Sequence, residues 1–265
     1  MTSLQEENVN FIILYQGRAG SSFLVDALNR HPEVFADGEI LAQFHPAEYP
    51  ETDRFVDRIR AGLARFTRGG PAQLQHQYMR NLYDNDSRSA RAVGFKTKVR
   101  DIIDLYSTKE ILEERNVLAI VMRRQNLVKQ TISRLSAHRL YATTGLWGLV
   151  DEADRPGPFE IGRNEFDRYF RQAVFDDCML VAFADYLAVP KLNLEYARLL
   201  TNRDEWFESV FSFLDVEWMT LETRILQNTD DDLKKVVANF DELAGHYEGT
   251  EFEAMFYEQA VKHDS

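Results

Sequence analysis

The sequence predicts an α/β fold: a parallel β-sheet flanked by helices, with a C-terminal third made mostly of helix. Three observations predict it. Short, nearly continuous apolar runs recur at NFIILYQ (10–16), AVGFKTKV (92–99), VLAIVMR (117–123) and KLNLEY (191–196), the pattern of strands buried on both faces. Helical patterns separate those runs, and strand–helix alternation favours a parallel sheet. From about residue 203 the pattern turns almost wholly helical.

The first apolar run leads through Gly17-Arg18-Ala19-Gly20-Ser21-Ser22 into a stretch with Phe23, Leu24, Ala27 and Leu28 at helical spacing. Amphipathic helices are expected over 53–66, 71–83, 126–138 and 163–187. The stretch TTGLWGLVDEADRPGPFEIGR (143–163) is punctuated by Gly and Pro and is expected to be a loop, either a lid over a site or a surface connection. C-terminal helices are expected near 203–214, 231–246 and 250–262. No repeat and no low-complexity linker interrupts the pattern, so one domain over 1–265 is expected.

At 265 residues, 45% hydrophobic and 28% charged, the chain has the composition of an ordinary soluble globular protein. Its formal net charge of −12 argues against nucleic acid as a partner and against bulk attraction to anionic membranes. An anionic ligand therefore needs a local cationic pocket. The first residues, MTSLQEEN, carry neither a basic region nor a long apolar run, so no signal peptide and no transmembrane segment is expected, and a cytoplasmic location is. The single cysteine, Cys178, excludes an intrachain disulfide and, within AVFDDCMLVAFADYLA, is expected to be a buried structural thiol.

A buried strand, a short glycine loop and a helix opening on paired serines place free backbone N–H groups at a helix N-terminus, where they and the helix dipole favour a phosphate. Gly17 and Gly20 let the backbone approach the ligand, Ser21 and Ser22 can cap the helix or donate hydroxyl protons, and Arg18 adds a cationic fork. The loop is too short for G-x-x-x-x-G-K-[ST] and has no lysine before its serines, and VLAIVMRR ends in arginines where an acidic metal-binding strand would be wanted. Mg–ATP chemistry thus lacks both its lysine and its metal ligand. No His-x-x-x-His and no Cys pair suggests zinc, and GRAGSSFL does not supply the G-x-S-x-G of a serine hydrolase.

The segment Arg18-Ala19-Gly20-Ser21-Ser22, followed by RHPEVFADGEIL, resembles the 5′-phosphosulfate-binding motif of sulfotransferases that use 3′-phosphoadenosine 5′-phosphosulfate (PAPS), with Ala19 in place of the usual serine. The same family holds the 3′-phosphate with an arginine at a strand end and a serine about two helical turns on. Arg123 and Arg124, then Ser133, match it in VLAIVMRRQNLVKQTISRL, either arginine being open as the ligand. Tyr196 in KLNLEYARLL matches a further family position, and residues 226–255 resemble the C-terminal helical region of bacterial members. The resemblance implies a P-loop-NTPase-like α/β fold and sulfuryl transfer from PAPS, leaving adenosine 3′,5′-bisphosphate (PAP), without a metal. The acceptor would be a hydroxyl or amine on a small molecule, glycan or lipid.

On the third apolar motif, VGFKTKV, a strand would turn Val93, Phe95, Thr97 and Val99 to one side and Lys96 and Lys98 to the other. The family often carries Lys-x-His here. Lys96 fits the charge-stabilising role beside Arg18, and Lys98 stands where the histidine would be. Glu39 is the expected general base, with His45 the alternative and a structural pairing of Glu39 with Lys96 or Arg18 the competing reading. His31 reads as a helix C-terminal residue favoured by the dipole. Phe44, Tyr49 and Trp147 could line a pocket or fill the core, and the face of 163–187 could form a homodimer or close the site. A nucleotide or small-molecule kinase and a non-catalytic nucleotide-binding module are the rival readings.

Overall fold

The computed structural model describes residues 8–44, 70–84, 90–220 and 228–258. His45, Tyr49 and the helix expected at 53–66 lie outside them. Five strands, β1 (Val9–Tyr15), β2 (Val34–Asp37), β3 (Ala92–Thr97), β4 (Leu118–Arg123) and β5 (Lys191–Glu195), form one sheet in the order β2-β3-β1-β4-β5. Every neighbouring pair is parallel. The four expected strands are present within two residues of their expected limits. β2 was not read as a strand, because four residues within a loop-like segment carry almost no periodic signal.

The helices are α1 (Ser21–Leu28), α2 (Pro71–Tyr83), α3 (Leu105–Glu114), α4 (Leu127–Thr144), α5 (Arg163–Tyr186), α6 (Tyr196–Thr201), α7 (Arg203–Phe213), α8 (Phe240–Gly245) and α9 (Glu253–Tyr257). α4 starts where expected, because Asn126 caps it by accepting from the Lys129 N–H at 2.8 Å, but it continues to a left-handed Gly145. The helix expected over 231–246 is reduced to α8. Before it, Leu233–Lys235 is a 3₁₀ turn and Val237 forms a parallel bridge with Phe159.

Because side chains alternate across a strand, β1 supplies both faces of the core. Phe11, Ile13 and Tyr15 pack with Leu24 and Leu28 of α1 and Phe207, Val210 and Phe211 of α7. Ile12 and Leu14 pack on the other face with Phe95, with Met79 of α2, Ile111 of α3 and Phe183 of α5. A third cluster joins Ile132 of α4 and Phe166 and Phe170 of α5 to Leu233, Phe240, Leu243 and Phe256. At the β1–β3 contact Gly94 faces Phe11, and a Cβ there would lie 2.3 Å from the Phe11 carbonyl oxygen. Only glycine lets these backbones approach so closely.

Cys178 corrects an expectation: it is exposed on α5. The face of α5 that carries it holds Phe175 in solvent too, while Leu180, Phe183 and Ala184 supply the buried stripe. A mostly apolar helix still leaves one row outward, and Cys178 falls on that row.

Candidate active site

β1 and β4 are neighbours, with Tyr15 opposite Met122, so the loops after their carboxyl ends emerge side by side. That places the glycine loop next to Arg124 and the start of α4, at the strand ends where open parallel sheets bind ligands. Between them lies a cavity of about 580 Å³ whose wall includes Arg18, Gly20, Ser21, Ser22, Arg124 and Ser133. The two anion motifs, more than a hundred residues apart in sequence, thus meet in one space. Trp147 to Val150, from the expected loop, and Asn228 to Asp231 complete one wall, and Tyr196 with Leu199 another.

The glycine loop turns sharply. Arg18 (φ 67°) and Gly20 (φ 84°) both take left-handed backbone, which is strained for an arginine and needs a reason. The turn delivers the Arg18 side chain to Ser133, whose Oγ accepts from Nε at 3.3 Å, and to the Trp147 carbonyl, which accepts from Nη1 at 3.0 Å. A Cβ on Gly20 would come within 3.2 Å of the Tyr196 ring, so the loop also closes against α6. Gly20 is the N-cap of α1 and no side chain caps it. This corrects the capping role expected of Ser21 and Ser22, which are the first two helical residues. Among the described residues the first N–H groups of α1 thus receive no side-chain cap and face the cavity as an anion site would require.

The Arg124 guanidinium lies 4.7 Å over the Tyr196 ring and donates to the Arg18 carbonyl at 3.5 Å. Burial, then the charge of Arg124, pulls the Arg18 guanidinium down to about 10, and burial lowers Arg124 as well. Among the described residues neither arginine forms an ion pair with a carboxylate. Lys129, on the same wall, is already paired with Asp231 at 2.5 Å. Two half-buried, adjacent guanidiniums, neither in an ion pair among the described residues and with only the more distant charge of Asp231 acting on Arg124, hold positive charge that an anionic ligand would offset.

Arg123 is placed elsewhere. It grips Asp177 with two bonds, Nε to Oδ1 at 2.9 Å and Nη2 to Oδ2 at 2.8 Å, and is not part of the cavity wall. Of the two arginines expected at a phosphate, Arg124 lines the cavity and Arg123 does not. Strand alternation explains the split: successive residues at the end of β4 leave in opposite directions. Gly17 and Ala19 also contribute no cavity wall. The Gly17 carbonyl accepts from Gln130 at 2.7 Å, and Ala19 is buried in the core against α1.

Beside the cavity, joined to it through Ser22, stands a second cluster. The Lys96 ammonium donates to Ser22 Oγ at 2.8 Å and lies 3.3 Å from Glu39 Oε1, while Lys98 Nζ is 2.5 Å from Glu39 Oε2. Both lysines sit 5.4 Å from the centre of the Tyr15 ring. Glu39 follows β2, whose last residue, Asp37, is fixed by the Tyr78 hydroxyl at 2.8 Å. Burial alone would raise the Glu39 carboxyl, but the charges of Lys98 and Lys96 and hydrogen bonds from Lys98 and Tyr15 overcome it and hold the group at about 2. Burial pushes the Lys96 ammonium down despite Glu39. The competing structural reading of Glu39 is therefore realised in part, with Lys98 as its tighter partner.

His31 is buried and held at both ring nitrogens: Nδ1 accepts from the Glu33 N–H at 3.1 Å, so Nε2 donates to the Glu217 carbonyl at 3.0 Å. Its backbone N–H donates to the Leu28 carbonyl at 2.9 Å, so His31 stands just past the C-terminus of α1, as expected. Phe44 packs on Tyr78 away from the cavity, whereas Trp147 lines it and stacks on Tyr141 at 4.5 Å. Sequence reasoning missed Gln16, Gln130, Asp177 and Asn228, whose amides and carboxylate hold these parts together. Their only signal, polar residues inside apolar runs, does not distinguish them from surface positions.

No family model matches the chain. Nodulation protein H of Rhizobium tropici is 24% identical over 251 residues, covering 94% of this chain and 92% of that protein. Among solved structures, a sulfotransferase from Alicyclobacillus acidocaldarius is similar at a TM-score of 0.49 and 17% identity, covering 95% of this chain and 97% of that one. A sulfotransferase domain from the curacin biosynthetic pathway is similar at a TM-score of 0.41 and 14% identity, covering 80% and 75%. Independently of these likenesses, the sheet order β2-β3-β1-β4-β5 with every neighbouring pair parallel defines a parallel α/β fold. The similarity to nodulation protein H spans most of the chain, and the Arg18–Ser22 and Arg124–Ser133 segments lie at two neighbouring strand–loop–helix junctions.

Proposed function

We propose that the protein is a sulfotransferase that moves the sulfuryl group of PAPS to a hydroxyl or amine. The observation that carries this reading is the pair of half-buried guanidiniums, Arg18 and Arg124, in no ion pair with a carboxylate among the described residues, both on the cavity wall beside the start of α1. A ligand with two phosphate groups suits them. The α1 N–H groups with Ser21 and Ser22 would receive the 5′-phosphate end, and Arg124 with Ser133 the 3′-phosphate. PAPS supplies an activated sulfuryl group whose departure leaves charge on the 5′-phosphate.

This chain's residues address that charge and the acceptor proton. Lys96, already on Ser22, can stabilise the leaving oxygen together with Arg18. Glu39 is ionised throughout the neutral range and stands one lysine away from Ser22, and in this reading it takes the acceptor proton. At about 2 it is a weak base in the free protein. An anion at Ser22 would compete for Lys96, and whatever charge Lys96 gives up would raise the proton affinity of Glu39.

PAP is expected to raise the melting temperature more than Mg–ATP does, and either Arg124→Ala or Arg18→Ala should remove most of the shift. An unchanged shift in both variants would refute the site. Incubation with radiolabelled PAPS and a panel of acceptor classes then tests transfer. PAP binding without label transfer to any acceptor would instead support a non-catalytic module.

A further inference from the structure

The geometry points to Gln16 as a positioning residue: we propose that its buried amide fixes the spacing between the two anion motifs, so that Arg124 can grip the second phosphate while the glycine loop holds the first. This inference rests on the reading that the cavity takes a bisphosphorylated nucleotide. Gln16 follows β1, is 1% exposed, and lies beside the end of β4. Its Nε2 donates to Asp177 Oδ1, the same oxygen that receives Arg123 Nε. Its Oε1 accepts from the Arg124 backbone N–H at 3.0 Å and lies 3.5 Å from Gln130 Nε2, which in turn donates to the Gly17 carbonyl at 2.7 Å. The chain of contacts runs Arg123, Asp177, Gln16, Arg124, with Gln130 closing it onto the glycine loop. Each motif touches this brace through its backbone, one at Gly17 and the other at Arg124.

The chemistry requires an amide. One side of Gln16 faces a carboxylate and needs a donor, while the other faces N–H groups and needs an acceptor. Glutamate would set two carboxylates against each other, and methionine of similar length would leave a buried N–H and the loop contact without their acceptor. Arg123 acquires a role here in place of the ligand contact it lacks: it fixes the Asp177 carboxylate that fixes Gln16. None of the four brace side chains lines the cavity, so their effect on a ligand is through position alone.

The test compares PAP with adenosine 5′-phosphate by calorimetry on the full chain, for the parent, Gln16→Met, Gln16→Glu and Gln130→Met. Circular dichroism checks that each variant is folded. The nucleotide with one phosphate needs only the glycine loop; PAP needs both motifs at the right spacing. The dissociation constant for PAP divided by that for adenosine 5′-phosphate should therefore rise about tenfold in the Gln16 variants, mostly through PAP, because a charge-assisted contact to the second phosphate is lost. With active enzyme, KM for PAPS should rise while kcat stays near the parent value. An unchanged ratio, or equal loss of both nucleotides, overturns the brace while leaving the donor site standing. A parent protein with no preference for PAP overturns both the donor reading and this inference. Should Gln16→Glu fail to fold, Gln130→Met reads the same ratio.

Discussion

Glu39 is the carboxylate proposed to take the acceptor proton. Its hold by Lys98 and Lys96 sets two expectations. Glu39→Gln should lower turnover far more than PAP affinity, measured by steady-state kinetics beside calorimetry; equal loss of both would make the residue structural. The pH dependence follows from the carboxyl standing at about 2 rather than its ordinary 4.5. A depressed folded value favours the native state above the unfolded value, and that contribution is lost as pH falls from about 4.5 to 2. Activity should show no limb from Glu39 between about pH 5 and 8, since the group is ionised across that span. Lys98→Met removes the nearest positive charge, so the Glu39 value should rise and an acid limb in kcat/KM should move upward towards neutrality. A profile that does not move would detach Glu39 from the proton transfer.

Two glycines show how elements are brought together at the scale of strands and helices. Gly94 lets β3 lie against Phe11 of β1, and a methyl group would strike the Phe11 carbonyl and ring at 2.3 and 2.5 Å. Gly94→Ala should cost roughly 3 kcal/mol or more, because overpacked core backbone has no space to relax, and it should lower soluble yield and melting temperature together. Gly20→Ala acts differently. It meets the Tyr196 ring at 3.2 Å and a left-handed φ of 84°, for about 1–2 kcal/mol. Because Gly20 stands at the N-cap position and on the cavity wall, that variant should lose PAP affinity out of proportion to its lost stability, as chemical denaturation beside calorimetry would show.

Across the whole molecule the C-terminal segment returns to the site. Asn228 is buried and accepts from the Leu149 N–H at 3.1 Å while donating to the Trp147 carbonyl at 3.2 Å, the carbonyl that also receives Arg18. Asn126 reaches the same end of the chain, donating to the Met255 carbonyl and Glu258 at 2.8 and 2.7 Å. One cavity wall thus depends on residues about eighty and one hundred and thirty positions away. Asn228→Ala should cost about 1–3 kcal/mol for the stranded backbone groups, and hydrogen exchange should rise at 147–150 before it rises in the sheet. Uniform exchange across both would show that the segment does not depend on this amide. No described helix is long and apolar enough to cross a membrane.

Local chemistry determined the strands, most helices and the glycine loop, because apolar period and turn residues act over a few positions and need no partner. The same short-range signals put Ser22 at the start of α1, Lys96 near the end of β3, Arg124 just past β4 and Ser133 two turns into α4, and the family resemblance singled them out. Tertiary structure alone decided which arginine faces the cavity, since a one-residue step along β4 reverses direction and only packing fixes the phase. It likewise decided that Glu39 meets Lys98, that Cys178 faces solvent and that Gln16 joins two loops. Each of these depends on contacts between residues separated by tens to more than a hundred positions, where the order of residues along a chain carries no distance.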